Sequence, residues 1–219
     1  MRLSRKCHIS NKFDRAIIKK KIWHWIFNIL ILFFIGSLIS GCAPEKPIFN
    51  AVDITGANYA QSFTLTDHNG SQRSLSDFKG KVVVVFFGYT QCPDVCPTSL
   101  SELVRVKQLL GTNGSLMQGV FVTVDPERDK PEMLKAYMVN FDDSFVAFVP
   151  TPAELGDLAK KFKIYYKRVE GQMPTSYTMD HSAGSYVYDQ QGRLRLFGRY
   201  GLGAEKLAQD IQVLIKQGQ

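Results

Sequence analysis

The sequence predicts an α/β domain in which a central sheet is packed between helices. Val82–Phe87 is an unbroken run of valine and phenylalanine, and two further strand-like segments lie at 119–125 and 145–149. Runs without polar alternation are typical of strands that are buried on both faces. Helical patterns separate these strands, and strands that alternate with helices predict a sheet covered on both sides.

A β-hairpin is predicted before the central strand. Phe63–Thr66 alternates in polarity, Asn69-Gly70 is a strong signal for a two-residue turn, and Ser74–Phe78 leads back towards the central strand. His68 lies beside this turn. We interpret it as a solvated turn residue.

Three helices are predicted between the central strand and residue 162. Apolar residues at helical spacing define the first, at 100–110. The other two begin at capping-box signatures, Asp129–Glu132 and Thr151–Glu154, each with a proline in the first turn. Met133 and Met138 in the second helix suggest copper ligands, but methionines at helical spacing are more often core residues, and we interpret them so.

The C-terminal part is predicted to contain a loop, a hairpin and a helix. Residues 165–181 lack a clean period and predict a long loop that ends at His181. Segments 184–189 and 194–200 predict a strand hairpin, and 207–215 has helical spacing. Together the elements predict an α/β sandwich of thioredoxin type with an N-terminal β-hairpin extension.

Length and charge define the organisation of the chain. At 219 residues and 45% hydrophobic content, it suits one domain, 56–219, a tether, 42–55, and a leader, 1–41. The net charge of +7 lies in the leader, which has eight basic residues and one acidic residue. The remainder has 19 of each, so a basic nucleic-acid interface is not expected.

The leader has the pattern of an export signal. Lys19–Lys21 precedes an apolar run, Ile22–Ile39, and Ile39–Cys42 resembles a bacterial lipobox in which Cys42 receives lipid. An uncleaved membrane helix is the alternative, since the run is close to the roughly 17 to 20 residues that span a bilayer. Positive residues stay in the cytoplasm, so both alternatives place the domain on the periplasmic side of a bacterial membrane.

Cys92 and Cys96 are the cysteines of the predicted domain, since Cys7 and Cys42 lie outside it. They follow the central strand, at the sheet edge where α/β folds bind ligands, and the N-terminus of the next helix is expected to lower a cysteine's pKa. Four positions correspond to about one helical turn, so both sulfurs can meet one soft metal ion. A structural disulfide is less favoured because so short a loop constrains the unfolded chain little.

An imidazole completes the candidate site. Two thiolates and a histidine suit Cu(I), and His181 is the stronger candidate of the two histidines in the predicted domain. Asp125 ends the second strand at the same sheet edge. A carboxylate is a poor ligand for Cu(I), so Asp125 is interpreted either as a residue that orients a ligand or as a turn residue. Asp180, next to His181, could also orient that ligand, but we favour its interpretation as a loop carboxylate without a role in the site.

Three segments resemble motifs of one known family. Phe87–Pro97 is similar to the copper motif of the Sco/SenC proteins in the thioredoxin-like superfamily, Val124–Asp129 to their second block, and Asp180–Ser182 to their histidine block. The resemblance covers roughly residues 50 to 216.

The resemblance implies a function. It implies that Cys92, Cys96 and His181 bind copper, as Cu(I) or Cu(II), with Asp125 near the site. It also implies that the protein serves assembly of the binuclear copper centre of cytochrome c oxidase. The lipobox-like leader departs from the many members that keep an uncleaved membrane helix.

Two functions stay open from the sequence. In the first, a membrane-anchored metallochaperone carries copper to the copper-bearing subunit of the oxidase, and a thiol reductant keeps Cys92 and Cys96 reduced. In the second, the chain is an enzyme, a thiol-disulfide oxidoreductase with Cys92 as nucleophile and Cys96 as resolving cysteine. A peroxiredoxin-type peroxidase is disfavoured because Tyr89 stands where a threonine is expected, three residues before the first cysteine.

Overall fold

A computed structural model of the chain describes residues 19–30, 47–173 and 176–218. The chain divides into two units, 1–46 and 47–219. In the first unit, residues 19–30 are helical.

The leader predictions lie largely outside the described residues. Over the parts of the chain that the structure describes, no helix has both the length and the apolar character required to cross a bilayer. The apolar run Ile22–Ile39 continues past residue 30, and Cys42 lies outside the described ranges. The lipid site and the membrane anchor therefore stay predictions.

The second unit contains strands and helices in alternation. Its strands are β1 (Val52–Asp53), β2 (Thr64–Thr66), β3 (Gln72–Ser74), β4 (Val82–Gly88), β5 (Met117–Thr123), β6 (Val146–Phe148), β7 (Tyr166–Glu170), β8 (Tyr177–His181), β9 (Ser185–Tyr188) and β10 (Leu194–Gly198). Its α-helices are α1 (Val95–Leu109), α2 (Pro131–Met138), α3 (Pro152–Phe162) and α4 (Ala204–Gln217), and short 3₁₀ helices lie at Leu75–Phe78 and Gly111–Leu116.

A six-stranded mixed sheet forms the centre of this unit, in the order β1-β10-β9-β4-β5-β6. Strands β4, β5 and β6 are parallel, whereas β9, β10 and β1 continue the sheet by antiparallel pairing. Every residue of β4 and β5 is buried. The predicted central strand and the thioredoxin-like α/β fold are confirmed.

The N-terminal hairpin of β2 and β3 is confirmed, and His68 lies in its turn as predicted, but the residue is half-buried rather than solvated. The His68 backbone N–H donates to the Ala147 carbonyl at 2.8 Å, and its Nδ1 accepts from the Ala147 N–H at 3.0 Å. Strand β6 is at the edge of the sheet, where unpaired backbone groups need partners. His68 supplies them, and its ring is half-buried for that reason.

The two predicted capping boxes have different outcomes. Thr151 and Glu154 form the reciprocal bonds of a capping box at the start of α3. The box predicted at α2 is wrong, because Lys130 is the N-cap and makes no side-chain cap bond. The core interpretation holds for Met138, which is 2% exposed, and fails for Met133, which is 47% exposed.

The long loop predicted at 165–181 is also wrong. Strands β7 and β8 form an antiparallel hairpin in which Tyr166 pairs with His181. Polar residues dominate β7, and four of its five residues are exposed, so its sequence lacks the apolar alternation that indicates a strand. In β8, Met179 is the buried residue of an alternating set with Tyr177 and His181. His181 therefore ends a paired strand rather than a loop.

Candidate metal centre

The cysteine segment follows β4 at the carboxyl edge of the sheet. Only Cys96 lies in helix α1, in its first turn, whereas Cys92 precedes the helix. The four-residue spacing therefore does not correspond to one turn of helix, but the predicted convergence of the two sulfurs is observed. The Cys96 backbone N–H donates to Cys92 Sγ at 3.4 Å, so the helix start holds the first sulfur beside the second. Within the described residues, these two cysteines are both free.

His181 joins the two sulfurs. The Sγ atoms of Cys92 and Cys96 and a ring nitrogen of His181 all lie within 4.8 Å of one another. His181 Nε2 is 3.4 Å from Cys96 Sγ. On the other side of the ring, Nδ1 is 3.0 Å from the Ser182 carbonyl, which fits an Nδ1–H donor. That tautomer leaves the Nε2 lone pair facing the sulfurs, as a metal ligand requires.

The surroundings of the imidazole favour its neutral form. Phe86 and Tyr89 contact the His181 ring edge-on, with centroids 6.2 and 5.8 Å away. Burial lowers the pKa of His181 below its ordinary value, although the hydrogen bond to Ser182 and the charge of Asp180 oppose the shift. An unprotonated imidazole is the form that binds metal.

Burial is the largest effect on the pKa of the Cys96 thiol. Its side chain is 0% exposed, and desolvation raises the pKa of the thiol, with smaller contributions from Cys92 and Asp129 and an opposing one from the Tyr89 backbone. The expected lowering by the helix N-terminus is therefore wrong for this cysteine, because the cost of burying a charge exceeds the benefit of the helix end. The metal-free thiol keeps its proton until a thiophilic cation replaces it.

Asp129 holds the cysteine segment and was missed as a site residue. Its fully buried carboxylate accepts hydrogen bonds from the Thr90 N–H at 3.0 Å, the Thr90 hydroxyl at 2.5 Å and the Thr123 hydroxyl at 2.6 Å. Thr90 is two residues before Cys92, so these bonds fix the start of the cysteine loop. In the sequence, Asp129 begins a capping-box signature, and this local pattern is by itself a sufficient explanation for the residue.

Asp125 lies at the predicted sheet edge, where Arg128 and Tyr177 bind both of its oxygens. Arg128 Nε donates to Oδ2, and the Tyr177 hydroxyl donates to Oδ1 at 2.9 Å. Asp125 is thus linked to the strand that bears His181, and its role in orienting a ligand stays a prediction. Asp180 is exposed on β8, opposite Lys167.

The donor set matches a soft monovalent metal. Thiolate sulfur selects Cu(I), imidazole also suits copper, and the mutual spacing allows one ion to reach all three atoms. Buried carboxylates lie nearby, but their oxygens are engaged by Thr90, Thr123, Arg128 and Tyr177. The residues therefore fit Cu(I) better than a hard cation that prefers oxygen ligands.

Fold and site together define a thioredoxin-like domain with two cysteines and one histidine at the carboxyl edge of its sheet. Among solved structures, Bradyrhizobium japonicum ScoI with copper bound is 37% identical, with a TM-score of 0.64 over 70% of this chain and 97% of that chain. A SCO1/SenC family lipoprotein from Bacillus anthracis is 25% identical, with a TM-score of 0.61 over 78% of this chain and 99% of that one.

Sequence comparison identifies the family. The SCO1/SenC family model matches residues 52–216. A SCO2-like protein of Rickettsia typhi is 33% identical over 182 residues, which are 80% of this chain and 90% of that protein. The chain belongs to the SCO1/SenC family.

Proposed function

We propose that this protein is a periplasmic copper metallochaperone that binds one Cu(I) between Cys92, Cys96 and His181 and passes it to an acceptor. The observation that carries the proposal is the convergence of two sulfurs and one imidazole nitrogen within 4.8 Å. The copper bound to the ScoI protein of B. japonicum supports the choice of metal.

The three ligands differ in solvent exposure, and this difference sets the order in which they release the metal. Cys96 is buried at the base of the site, whereas Cys92 and His181 are partly exposed. Cu(I) replaces the thiol protons of both cysteines, and those protons leave to solvent. On delivery, donor atoms of the acceptor replace the accessible ligands first, and Cys96 releases the metal last.

The acceptor and the anchor rest on the sequence. The Sco/SenC resemblance implies the copper-bearing subunit of cytochrome c oxidase as acceptor, with a thiol reductant that restores the dithiol. The lipobox-like segment at Cys42 supports a lipid anchor, and the B. anthracis relative is described as a lipoprotein. An uncleaved helix within the leader is the other anchor that the sequence allows.

Anaerobic titration of the reduced full-length protein in detergent tests the metal site. With a competing Cu(I) chelator, we expect one tight equivalent. His181→Ala should weaken binding by more than about a hundredfold, since even residues that only support a ligand contribute about ten- to a hundredfold. Oxidation of the pair to a disulfide should abolish binding. A stoichiometry well below one, or an unchanged affinity in His181→Ala, would refute the proposal.

A thiol-disulfide oxidoreductase is the second candidate, and the partly exposed Cys92 in front of buried Cys96 favours it. The Cys92 thiolate would attack a substrate disulfide, forming a mixed disulfide and releasing one substrate thiolate. Cys96 would then attack Cys92 Sγ, which releases the second thiolate and leaves a Cys92–Cys96 disulfide. Activity that needs both cysteines but is indifferent to His181→Ala would support this function over metal transfer.

A further inference from the structure

Tyr137 carries a buried hydroxyl that has no hydrogen-bond partner among the described residues. The residue lies in the last turn of α2, and its ring contacts Phe121 and Phe141 with centroids 6.0 and 5.1 Å away. A buried hydroxyl without a partner lowers stability, and nearly all buried polar groups in folded proteins are paired. The hydroxyl is therefore available to donate to a group that becomes a good acceptor.

Cys96 Sγ and the Tyr137 ring both lie close to the Phe121 ring. A Cβ atom added at Gly88 would be 2.8 Å from Cys96 Sγ and 2.9 Å from Phe121 Cε2, so the sulfur and the Phe121 ring are neighbours. Tyr137 packs against that same ring. Burial raises the pKa of Tyr137, so the phenol keeps its proton and can donate a hydrogen bond to a negatively charged sulfur.

Cys96 Sγ has the capacity to accept a hydrogen bond, whereas Cys92 Sγ already accepts one from the Cys96 N–H. The oxygens of Asp129 already accept three hydrogen bonds, from Thr90 and Thr123. A neutral thiol is a weak acceptor, whereas a thiolate is a strong one. The sulfur of Cys96 becomes a good partner for the hydroxyl only when it loses its proton, as it does on binding a metal.

We propose that the Tyr137 hydroxyl donates a hydrogen bond to Cys96 Sγ in the copper-loaded protein and thereby stabilises the loaded site. This inference rests on the proposed copper function. Two thiolates and one Cu(I) leave one net negative charge in a buried position, and a donor aimed at the sulfur offsets part of its desolvation. Tyr137 is a positioning residue in this scheme, since it contacts a ligand and not the metal.

The test compares metal-free stability with copper affinity in Tyr137→Phe. Removing an unpaired buried hydroxyl should leave the melting temperature of the reduced, metal-free protein unchanged or higher. Removing the donor should weaken Cu(I) binding about tenfold, measured against a competing chelator. A residue with a merely structural role would shift both quantities in the same direction. A loss of copper affinity without a loss of metal-free stability is therefore the signature of the proposed bond.

Tyr188→Phe is the matched control, because its buried hydroxyl donates to the Ala60 carbonyl at 2.6 Å. This variant should lose stability and keep its copper affinity. A fall in the metal-free stability of Tyr137→Phe, or an unchanged copper affinity, would overturn the role of Tyr137. Absence of copper binding by the unmodified protein would instead overturn the metallochaperone function. The melting temperature of metal-free Tyr137→Phe would still show whether the buried hydroxyl is unpaired.

Discussion

Arg128 stacks its guanidinium group on the ring of Tyr177, 3.5 Å from the ring centroid, and also donates to the Tyr177 carbonyl at 2.9 Å. The same group donates to Gln91, the residue before Cys92, at 3.0 Å. Tyr177 begins strand β8 and His181 ends it. One side chain therefore connects the cysteine loop with the strand that supplies the imidazole.

Arg128→Lys should weaken copper binding without abolishing the fold. Lysine has one point charge and cannot reproduce the planar fork that reaches Gln91, Asp125 and Tyr177 together, so the histidine strand should loosen. We expect about a tenfold loss of Cu(I) affinity, as for other residues that support metal ligands. Competition with a chelator measures this loss, and the melting temperature of the metal-free protein shows whether the fold persists.

Arg168→Lys is the control for this prediction. Arg168 lies on the other face of the Tyr177 ring, at 3.8 Å, but it is exposed and pairs with the exposed residues Glu127 and Glu170. Exposed ion pairs contribute little, so copper affinity should stay close to that of the unmodified protein. Equal losses in the two variants would contradict the connecting role of Arg128.

Gly88→Ala should displace the buried sulfur. An added Cβ would lie 2.8 Å from Cys96 Sγ and 2.9 Å from ring atoms of Phe86 and Phe121, at the end of the fully buried strand β4. Overpacking of this kind costs about 1 to 3 kcal/mol. The free energy of unfolding and the Cu(I) affinity should both fall, as measured by urea unfolding and chelator competition.

Gly156→Ala is the control for this prediction, because the same substitution should raise stability there. Gly156 lies inside helix α3, and apart from its chain neighbours and the backbone of its own helix, no atom is within 4 Å of an added Cβ. Alanine at a helix interior is favoured over glycine by about 1 kcal/mol, so this variant should be more stable and bind copper normally. Unaltered copper affinity in Gly88→Ala would show that the sulfur tolerates displacement.

Cys92 should react with iodoacetamide before Cys96 in the reduced, metal-free protein. The thiolate is the reactive form, and Cys96 is inaccessible with a pKa raised by burial. We expect a rate difference of about tenfold or more, resolved by tandem mass spectrometry after brief labelling. In denaturant the two rates should converge. Faster labelling of Cys96 in the folded protein would show that the site opens from its buried side.

Short-range patterns in the sequence predicted much of the fold. The apolar run of β4 and the capping box at Thr151 and Glu154 depend on neighbours in the chain, and both are confirmed. The hairpin of β7 and β8 was missed because β7 is exposed and its residues carry little apolar alternation. Tyr177, Met179 and His181 in β8 gave the only usable signal, an alternating inward face.

The three candidate ligands could be named from the sequence, but the residues that hold them in place could not. Residue type selects cysteine and histidine as ligands for a soft metal, so the three candidates could be named from the sequence. Asp129 bonds to Thr90, 39 positions away, and Arg128 bonds to Tyr177, 49 positions away. The local pattern at Asp129 favours a helix cap, and contacts of such range leave no periodic signal in one sequence.

The stability contributed by Asp129 should fall as pH rises. Burial raises the pKa of Asp129 above 3.8, although hydrogen bonds from Thr123 and Thr90 oppose the shift. Between 3.8 and the higher folded-state pKa, the folded protein therefore holds a proton that the unfolded chain has lost. Stability falls with rising pH wherever the folded state binds more protons. Asp129→Asn has no such proton and should remove this part of the pH dependence.

Asp142 supplies a control of opposite sign for the same measurement. Burial opposes the shift there, but hydrogen bonds from Lys107 and Ser144 lower the pKa of Asp142 below 3.8. Its contribution is present above 3.8 and is lost as pH falls through the lower folded-state pKa. Urea unfolding from pH 3 upwards should therefore show the stability difference between the unmodified protein and Asp129→Asn shrinking as pH rises, and that for Asp142→Asn growing. Parallel profiles for Asp129→Asn and the unmodified protein would show that Asp129 has the same proton affinity folded and unfolded.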